Sequence, residues 1–226
     1  MTSIDSINSI NIIDTNQSVK DVYNNIAKDF SRTRYTVWDA VKIFLDELPK
    51  DSLLADIGCG NGKNMMYRND INHIGIDLCE SFIKICQDRN LNVKHGSVSN
   101  IPLEINSVDN TICIAVIHHL KTVEERVKAI SELIRITKPG GRIMIYVWCF
   151  EQDSHSKNKF SSQDEMVPFK DINGNILSYR YYHLYVNGEI EKELALVNDI
   201  KSNFKINKIF KDRNNYVAIL QKIKLN

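Results

Sequence analysis

A glycine-rich segment, LLADIGCGNGKN, occupies residues 53–64 and places three glycines within five positions. Its first residues form a short apolar run, which is typical of a strand buried in a parallel sheet. Glycines directly after such a strand permit a sharp turn into a helix and a close approach of the backbone to a ligand. Because open parallel sheets bind ligands at the carboxyl ends of their strands, the segment predicts a ligand-binding loop.

Strand and helix patterns alternate after this loop. Helical periodicity at residues 80–88 and 122–137 separates short apolar runs, and this alternation predicts an α/β fold with mainly parallel strands and helices on both faces. Two adjoining runs near the C-terminus predict an antiparallel pair that closes the sheet. The predicted strands are residues 53–57, 73–76, 92–95, 110–114, 142–148, 204–210 and 216–222.

The chain of 226 residues is long enough for one domain of generous size. Residues 1–17 are rich in Asn, Ser and Ile without a sustained period, which predicts a flexible leader before a single domain at residues 18–226. Within the domain, the polar stretch 151–164 opens an insertion that extends to about residue 190 and predicts an acceptor-binding segment or lid. Further helices are predicted at residues 19–30, 38–48 and 190–202.

Composition excludes several classes of protein. The net charge of +1 gives no general indication of nucleic-acid binding, although residues 201–226 carry seven basic residues against one acid. That basic segment either faces an anion or forms a solvated edge. No apolar run approaches the roughly 18 residues of a membrane span, and the N-terminus lacks the pattern of a secretory signal. The five cysteines include no C-x-x-C pair, which favours reduced thiols without a bound metal.

Two acids next to the predicted ligand loop restrict its ligand. The spacing is G-x-G-x-G, with Lys63 where a dinucleotide fingerprint has its third glycine, and no phosphate-binding P-loop matches. Asp56 at the mouth of the loop would repel a pyrophosphate but can pair with an ammonium group. Asp77 ends the next strand, where a carboxylate accepts ribose hydroxyls. An adenosine that carries an amino acid and no phosphate, as in S-adenosylmethionine, satisfies both acids; the alternative for each is a helix cap or a surface acid.

The loop, the acid pair and the strand order resemble the class I S-adenosylmethionine-dependent methyltransferases over residues 22–222. The resemblance implies a seven-stranded, Rossmann-like sheet with its last strand reversed. It also implies backbone contacts from the loop to the methionine part of the cofactor, and adenine near Leu78 and the segment GSVSNIP. Ser97 stands where the family often has an acid, so adenine recognition would depend more on the backbone of Val98. The cofactor-binding residues so implied are Tyr23, Asp56, Gly58, Cys59, Gly60, Asn61, Gly62, Asp77, Leu78, Ser97, Val98 and Ala115.

Five further segments resemble a narrower family, the eukaryotic tRNA wobble-uridine carboxymethyl methyltransferases. They are VYNNIAKDFSRTRYTVW (22–38), AVIHHL (115–120), IYVWCFEQ (145–152), SSQDEMVPF (161–169) and YRYYHLYVNGEIEKEL (179–194). This resemblance implies esterification of 5-carboxymethyluridine in the tRNA anticodon loop. It implies catalytic roles for Arg34, His118 and His119, and acceptor binding by Arg34, Trp38, Trp148, Arg180, Tyr182 and His183.

A carboxylate acceptor is ionised at neutral pH, so it needs orientation rather than a base. Either histidine could instead be a packed structural residue, and either tryptophan a core residue. The family resemblance also implies a small zinc-binding activator subunit that pairs with the sheet edge near residues 92–95, and a cytoplasmic location with a nuclear fraction. Two alternatives stay open: a methyltransferase of small quinone or lipid precursors, and a non-catalytic RNA- or protein-binding subunit of the same fold.

Overall fold

A seven-stranded mixed sheet forms the centre of the computed structural model, which describes residues 15–156, 158–199 and 203–224. A separate two-stranded sheet lies beside it. In chain order the elements are α1 (Thr15–Thr33), α2 (Asp39–Asp46), β1 (Leu53–Ile57), β2 (Asn72–Asp77), α3 (Glu80–Asp88), β3 (Val93–His95), β4 (Asn110–Ile114), a 3-10 turn (Ile117–His119), α4 (Val123–Ile136), β5 (Arg142–Trp148), β6 (Asp164–Lys170), β7 (Ile176–His183), α5 (Glu189–Asp199), β8 (Phe204–Asp212) and β9 (Asn215–Lys222).

The strand order of the large sheet is β3-β2-β1-β4-β5-β9-β8. Strands β1 to β5 pair in parallel, whereas β9 runs antiparallel to both β5 and β8. The predicted α/β fold, the closing antiparallel pair and the reversed last strand are therefore confirmed. Because the chain crosses from β3 back to β4 on the other side of β1, a crevice opens beside the carboxyl end of β1, where such sheets bind ligands.

Helices cover both faces of the sheet because each carries an apolar stripe. On one face α2 buries Val41, Phe44 and Leu45 against the central strands. On the other face α4 and α5 pack over the sheet in one continuous cluster. Helix α4 begins at Thr122, whose side chain accepts from the amide of Glu125 in a reciprocal capping box, and it ends before a Pro-Gly-Gly turn.

The insertion differs from its prediction. The polar stretch before residue 164 has no helix or strand among its described residues, but β6 and β7 then form an antiparallel hairpin that the sequence did not predict. Pro168 lies inside β6, and a proline within an apolar alternation argues against a strand unless the strand lies at an edge, as it does in a two-stranded sheet. The hairpin could not be predicted locally, because its buried face packs against residues from other parts of the chain.

Several boundaries also move. Helix α1 begins at Thr15, so residues 15–17 of the predicted leader are helical, and residues 1–14 lie outside the described residues. Helix α2 starts one residue later and ends two residues earlier than predicted. Residues 200–202 of the last predicted helix, and with them part of the basic C-terminal segment, are not described. None of the helices in the described part of the chain is long and apolar enough to cross a membrane.

Candidate active site

The turn after β1 depends on glycine. Gly58 has a φ of +73°, and a Cβ there would lie 2.3 Å from Cγ2 of Val116. Gly60 has a φ of +53°, but a Cβ there would meet no heavy atom within 4 Å. The first glycine thus allows close packing behind the loop, while the second presents bare backbone to open space on the cavity side.

The amides of this loop donate within the protein. Those of Gly58 and Cys59 donate to the carbonyl of Ile76 at 2.7 and 3.1 Å, and that of Gly60 donates to Oδ2 of Asp77 at 2.8 Å. A phosphate-binding loop directs such amides at its ligand. Because these three are already used, the loop suits a ligand that donates hydrogen bonds rather than a phosphate.

The two predicted acids have different positions. Asp77 lies at the end of β2 in the cavity wall, where its Oδ1 also accepts the amide of Cys79 at 2.8 Å. Asp56 lies behind the loop, fully buried and away from the cavity surface, with Oδ2 accepting from Asn64 at 3.3 Å. Its Oδ1 has no hydrogen-bond partner among the described residues, and burial raises the pKa of Asp56 to about 7. The structure therefore does not bring Asp56 to the cavity surface, and its predicted contact with an ammonium group stays a prediction.

A cavity of about 1230 Å³ of empty space, counting its open mouth, lies above the carboxyl ends of the central strands. Helix α1 and strand β7 pack together on its upper side. Asp56, Gly62, His118 and His183 do not line it. The predicted site residues that do are Tyr23, Arg34, Trp38, Gly58, Cys59, Gly60, Asn61, Asp77, Leu78, Ser97, Val98, Ala115, His119, Trp148, Arg180 and Tyr182.

His119 is held in one tautomer. Its Nδ1 lies 2.8 Å from the carbonyl oxygen of Tyr181, which can only accept, so Nδ1 carries the proton. Its Nε2 then accepts from the hydroxyl of Tyr23 at 2.9 Å. Burial lowers the pKa of His119 to about 4, so the ring is neutral at physiological pH. The bonds join α1, the 3-10 turn and β7 around the cavity.

His118 faces the other way. Its Nδ1 accepts from the amide of Trp148 at 3.2 Å, and its ring stacks on that of Tyr182 with centroids 4.7 Å apart. Burial lowers the pKa of His118 well below its ordinary value. The ring of His118 lies behind Tyr182 instead of on the cavity surface, a position that suits support of Tyr182 more than the predicted catalytic contact.

Two arginines lie in the cavity wall close to each other. Arg180 is only 7% exposed, and its guanidinium lies 5.2 Å from the ring centroids of both Phe169 and Tyr182. Its Nε has no hydrogen-bond partner, and no carboxylate pairs with it within the described residues. Arg34 is exposed as a whole residue at the mouth of the cavity. Partial desolvation of its guanidinium and the charge of Arg180 both lower its pKa. The wall therefore carries positive charge without a counter-ion.

Aromatic rings line the part of the cavity next to the two arginines. The rings of Trp148 and Tyr182 lie 4.7 Å apart, and both line the cavity. Trp38 packs on Tyr146 at 4.8 Å and exposes its other side to the cavity. Such surfaces can stack a splayed base.

His183 does not reach the cavity, although it follows Tyr182 directly. Its ring nitrogens lie 2.9 Å from Oδ1 of Asp164 and 2.6 Å from Oε1 of Glu189. The structure therefore does not bring His183 to the cavity with the other residues predicted to bind the acceptor, because its side chain lies on the opposite face of β7 from Arg180 and Tyr182.

Lys63 is a cavity residue that the sequence did not assign. Its ammonium lies 5.0 Å from the ring of Trp38 and donates to the carbonyl of Thr36 at 3.1 Å. Its place next to the glycine loop was a usable signal, because a cation there can meet the carboxylate of an amino-acid ligand.

Comparisons with known proteins agree with this geometry. Residues 55–145 match the family model described as a methyltransferase domain. Solved structures of similar fold include the [4+2]-cyclase SpnF, with a TM-score of 0.67, 12% identity and coverage of 92% of this chain and 96% of that one. A chain from the complex of the Haloferax volcanii Trm112 methyltransferase activator with a methyltransferase matches with a TM-score of 0.66 at 15% identity, covering 92% and 99%. These likenesses show the fold.

Curated relatives are closer in sequence. The chain is 32% identical over 260 residues to the tRNA (carboxymethyluridine(34)-5-O)-methyltransferase alkbh8 of Xenopus tropicalis, covering 91% of this chain but 41% of that protein. It is thus less than half the length of that relative. The chain is 35% identical over 198 residues to the tRNA (carboxymethyluridine(34)-5-O)-methyltransferase of Schizosaccharomyces pombe, covering 78% of this chain and 86% of the relative. The chain therefore belongs to the tRNA (carboxymethyluridine(34)-5-O)-methyltransferase family.

Proposed function

We propose that this protein transfers a methyl group from S-adenosylmethionine to the carboxylate of 5-carboxymethyluridine at the wobble position of tRNA, giving the methyl ester. The observation that carries the proposal is the buried guanidinium of Arg180, which faces the cavity without a carboxylate partner among the described residues. A buried charge without a partner is costly, and an anionic acceptor would offset that cost. Family membership supports the same acceptor.

The loop end of the cavity fits the cofactor. S-adenosylmethionine, when bound, supplies an electrophilic methyl group on a positively charged sulfur. Asp77 accepts one amide on each carboxylate oxygen, and each oxygen retains capacity for a ribose hydroxyl. Leu78, Ser97 and Val98 line the same end and would contact adenine. Burial raises the pKa of Asp56 to about 7, and a cationic amino group bound on the other side of the loop would favour the ionised form of this carboxyl.

The acceptor end needs no general base. The acceptor carboxylic acid has a pKa of about 4 to 5 and is ionised at neutral pH. Arg180 and Arg34 would neutralise and orient it, while Trp148 and Tyr182 would stack the uracil ring. His119 is neutral, and the lone pair of its Nε2 already accepts from Tyr23. Its role would therefore be to tie α1 to β7 beside the cavity instead of taking a proton.

The alternatives predict different cavities. A methyltransferase of quinone or lipid precursors would present an apolar acceptor wall without affinity for RNA, and the paired arginines favour an anionic acceptor instead. A non-catalytic subunit of the same fold would not bind the cofactor, which calorimetry tests directly.

A small zinc-binding activator subunit is part of the proposal. Strand β3 ends the large sheet and pairs with β2 alone in the described part of the chain, so its outer edge is open. An open edge accepts an added strand from a partner. A protein of the same fold was solved with the Trm112 activator. We further propose a cytoplasmic location with a nuclear fraction, which imaging of a fluorescent fusion tests.

The deciding experiment uses the protein co-expressed with the activator, labelled cofactor and tRNA from cells that lack this protein. Nucleoside mass spectrometry should show methoxycarbonylmethyluridine, and mild alkali should release the transferred methyl as the ester hydrolyses. The Asp77→Ala variant, with weakened cofactor binding, serves as a matched control and should methylate more slowly at a limiting cofactor concentration. An alkali-stable methyl group on the tRNA would point to methylation at nitrogen, carbon or ribose and would overturn the proposal.

A further inference from the structure

The charged cluster around His183 lies behind the acceptor wall. His183 is the last residue of β7 and only 8% exposed, with Nδ1 2.9 Å from Asp164 and Nε2 2.6 Å from Glu189. Ionised carboxylates can only accept hydrogen bonds, so both ring nitrogens carry protons. The side chain is therefore an imidazolium held between two carboxylates.

This imidazolium joins three elements. Asp164 opens β6 and also accepts the hydroxyl of Tyr181. Glu189 opens α5 and accepts from the side-chain amide of Gln163 at 2.9 Å. Arg126 on α4 lies 3.7 Å from Glu189 and completes the set of charged groups that face His183. The hairpin, α5 and α4 are thereby tied together at one point.

The same strand supplies the acceptor wall. Arg180 and Tyr182 on β7 line the cavity, and the carbonyl of Tyr181 between them holds the ring of His119. We propose that His183 is a positioning residue whose imidazolium, clamped between Asp164 and Glu189, fixes β7 so that Arg180 and Tyr182 meet the acceptor. The inference rests on the proposed function for the identity of that acceptor.

A pH dependence follows. Burial by itself lowers the pKa of His183, and Arg126 does the same, but the bonds to Glu189 and Asp164 outweigh them and raise the pKa above its ordinary 6.5. The stabilising contribution is thus complete below the unfolded-state pKa and is lost as the pH rises through the higher folded-state pKa. Above that point one carboxylate bond disappears and the two carboxylates repel each other, which loosens β7.

The test compares the parent with His183→Gln, His183→Arg and a control, Arg135→Gln, which breaks the ion pair with Glu132 away from the cavity. The KM for tRNA and kcat are measured from pH 6 to pH 9. The parent KM should rise about tenfold toward alkaline pH, equivalent to one charge-assisted hydrogen bond. His183→Gln should show the high KM at every pH with unchanged cofactor affinity, and His183→Arg, which keeps its charge, should restore a lower KM without pH dependence. A pH-dependent KM in His183→Gln equal to that of the parent would refute the role.

Hydrogen exchange separates this inference from the proposed function. The β7 amides of the parent, without tRNA, should lose protection as the pH rises above 6.5, after correction for intrinsic rates, while those of Arg135→Gln should behave as in the parent. If the parent does not esterify tRNA, the proposed function fails while this measurement still tests His183. Protection at β7 that does not change with pH would overturn the positioning role, and the parent alone suffices if a variant does not fold.

Discussion

Replacing Arg180 with methionine removes a charge while keeping much of the side-chain volume. Arg180 is 7% exposed, its guanidinium lies against the rings of Phe169 and Tyr182, and methionine can fill the same apolar space. The variant should lose its hydrogen bonds to the acceptor carboxylate. A hydrogen bond to a charged group contributes about 1.5 to 3 kcal/mol, so kcat/KM for tRNA should fall about 10- to 150-fold.

The thermal stability of Arg180→Met should respond differently from its activity. Arg180 has no counter-ion among the described residues, so its desolvation opposes folding, while each contact with an aromatic ring returns about 0.5 to 2 kcal/mol. These effects nearly cancel, and the unfolding midpoint of Arg180→Met should stay at or above that of the parent. A residue retained only for packing would lower activity and stability together.

The assay measures initial rates of labelled methyl transfer to tRNA, with cofactor affinity measured by calorimetry. The matched control is Arg142→Met, because Arg142 also lies over an aromatic ring, that of Phe44 at 4.8 Å, but at the opposite end of the sheet and paired with Glu47. It should lose some stability and keep kcat/KM.

Arg180→Lys keeps the charge but lacks the planar guanidinium, so its kcat/KM for tRNA should lie between those of the parent and Arg180→Met. An Arg180→Met enzyme with the parent kcat/KM would refute the reasoning. A loss confined to cofactor affinity would instead assign Arg180 to the carboxylate of the cofactor.

Four other experiments test the candidate site and the fold that supports it. Asp77→Ala should weaken cofactor binding about tenfold to a hundredfold by calorimetry, because the ribose hydroxyls lose their acceptor. Gly58→Ala should lower the free energy of unfolding by about 1 to 3 kcal/mol, since its Cβ would lie 2.3 Å from a side-chain carbon at a positive φ. Glu193→Gln should cost about 3 kcal/mol by removing the nearer of the two carboxylates that pair with the buried Arg126, whereas Asp88→Asn, from an exposed pair, should leave the unfolding midpoint unchanged. With saturating cofactor, the rate should not climb between pH 5.5 and 7, because His119 is already neutral there and no base is needed.

The sheet could be predicted from the sequence because strands buried on both faces read as continuous apolar runs. LLADI in β1 and NTICI in β4 are buried almost throughout, and their predicted bounds agree with those observed. The hairpin could not be predicted in this way. In β6 only Val167 and Phe169 are buried, on either side of Pro168, and their burial depends on contacts with distant parts of the chain.

The candidate site was predictable where the backbone alone sets it. Gly58, Gly60 and Asp77 lie at strand ends, so their place at the ligand crevice follows from topology. The direction in which adjacent side chains point does not follow from topology. His118 and His119 differ by one position, and the 3-10 turn sends one ring behind Tyr182 and the other toward the cavity. In β7, strand alternation places Arg180 and Tyr182 on the cavity face and His183 on the opposite face, but the sequence pattern did not reveal this strand.

His118 and His183 both act on the charged wall of the cavity from behind. His118 supports Tyr182 from behind, and His183 anchors the end of the same strand, so both residues act on the acceptor wall without touching the acceptor. What they support is the guanidinium of Arg180, whose Nε has no hydrogen-bond partner and which pairs with no carboxylate among the described residues. A site that had to deprotonate its acceptor would need a basic group with a free lone pair, whereas His119 shares its lone pair with Tyr23. A wall that offers charge and orientation but no free base suits an acceptor that arrives already ionised, and a carboxylate meets that condition at neutral pH.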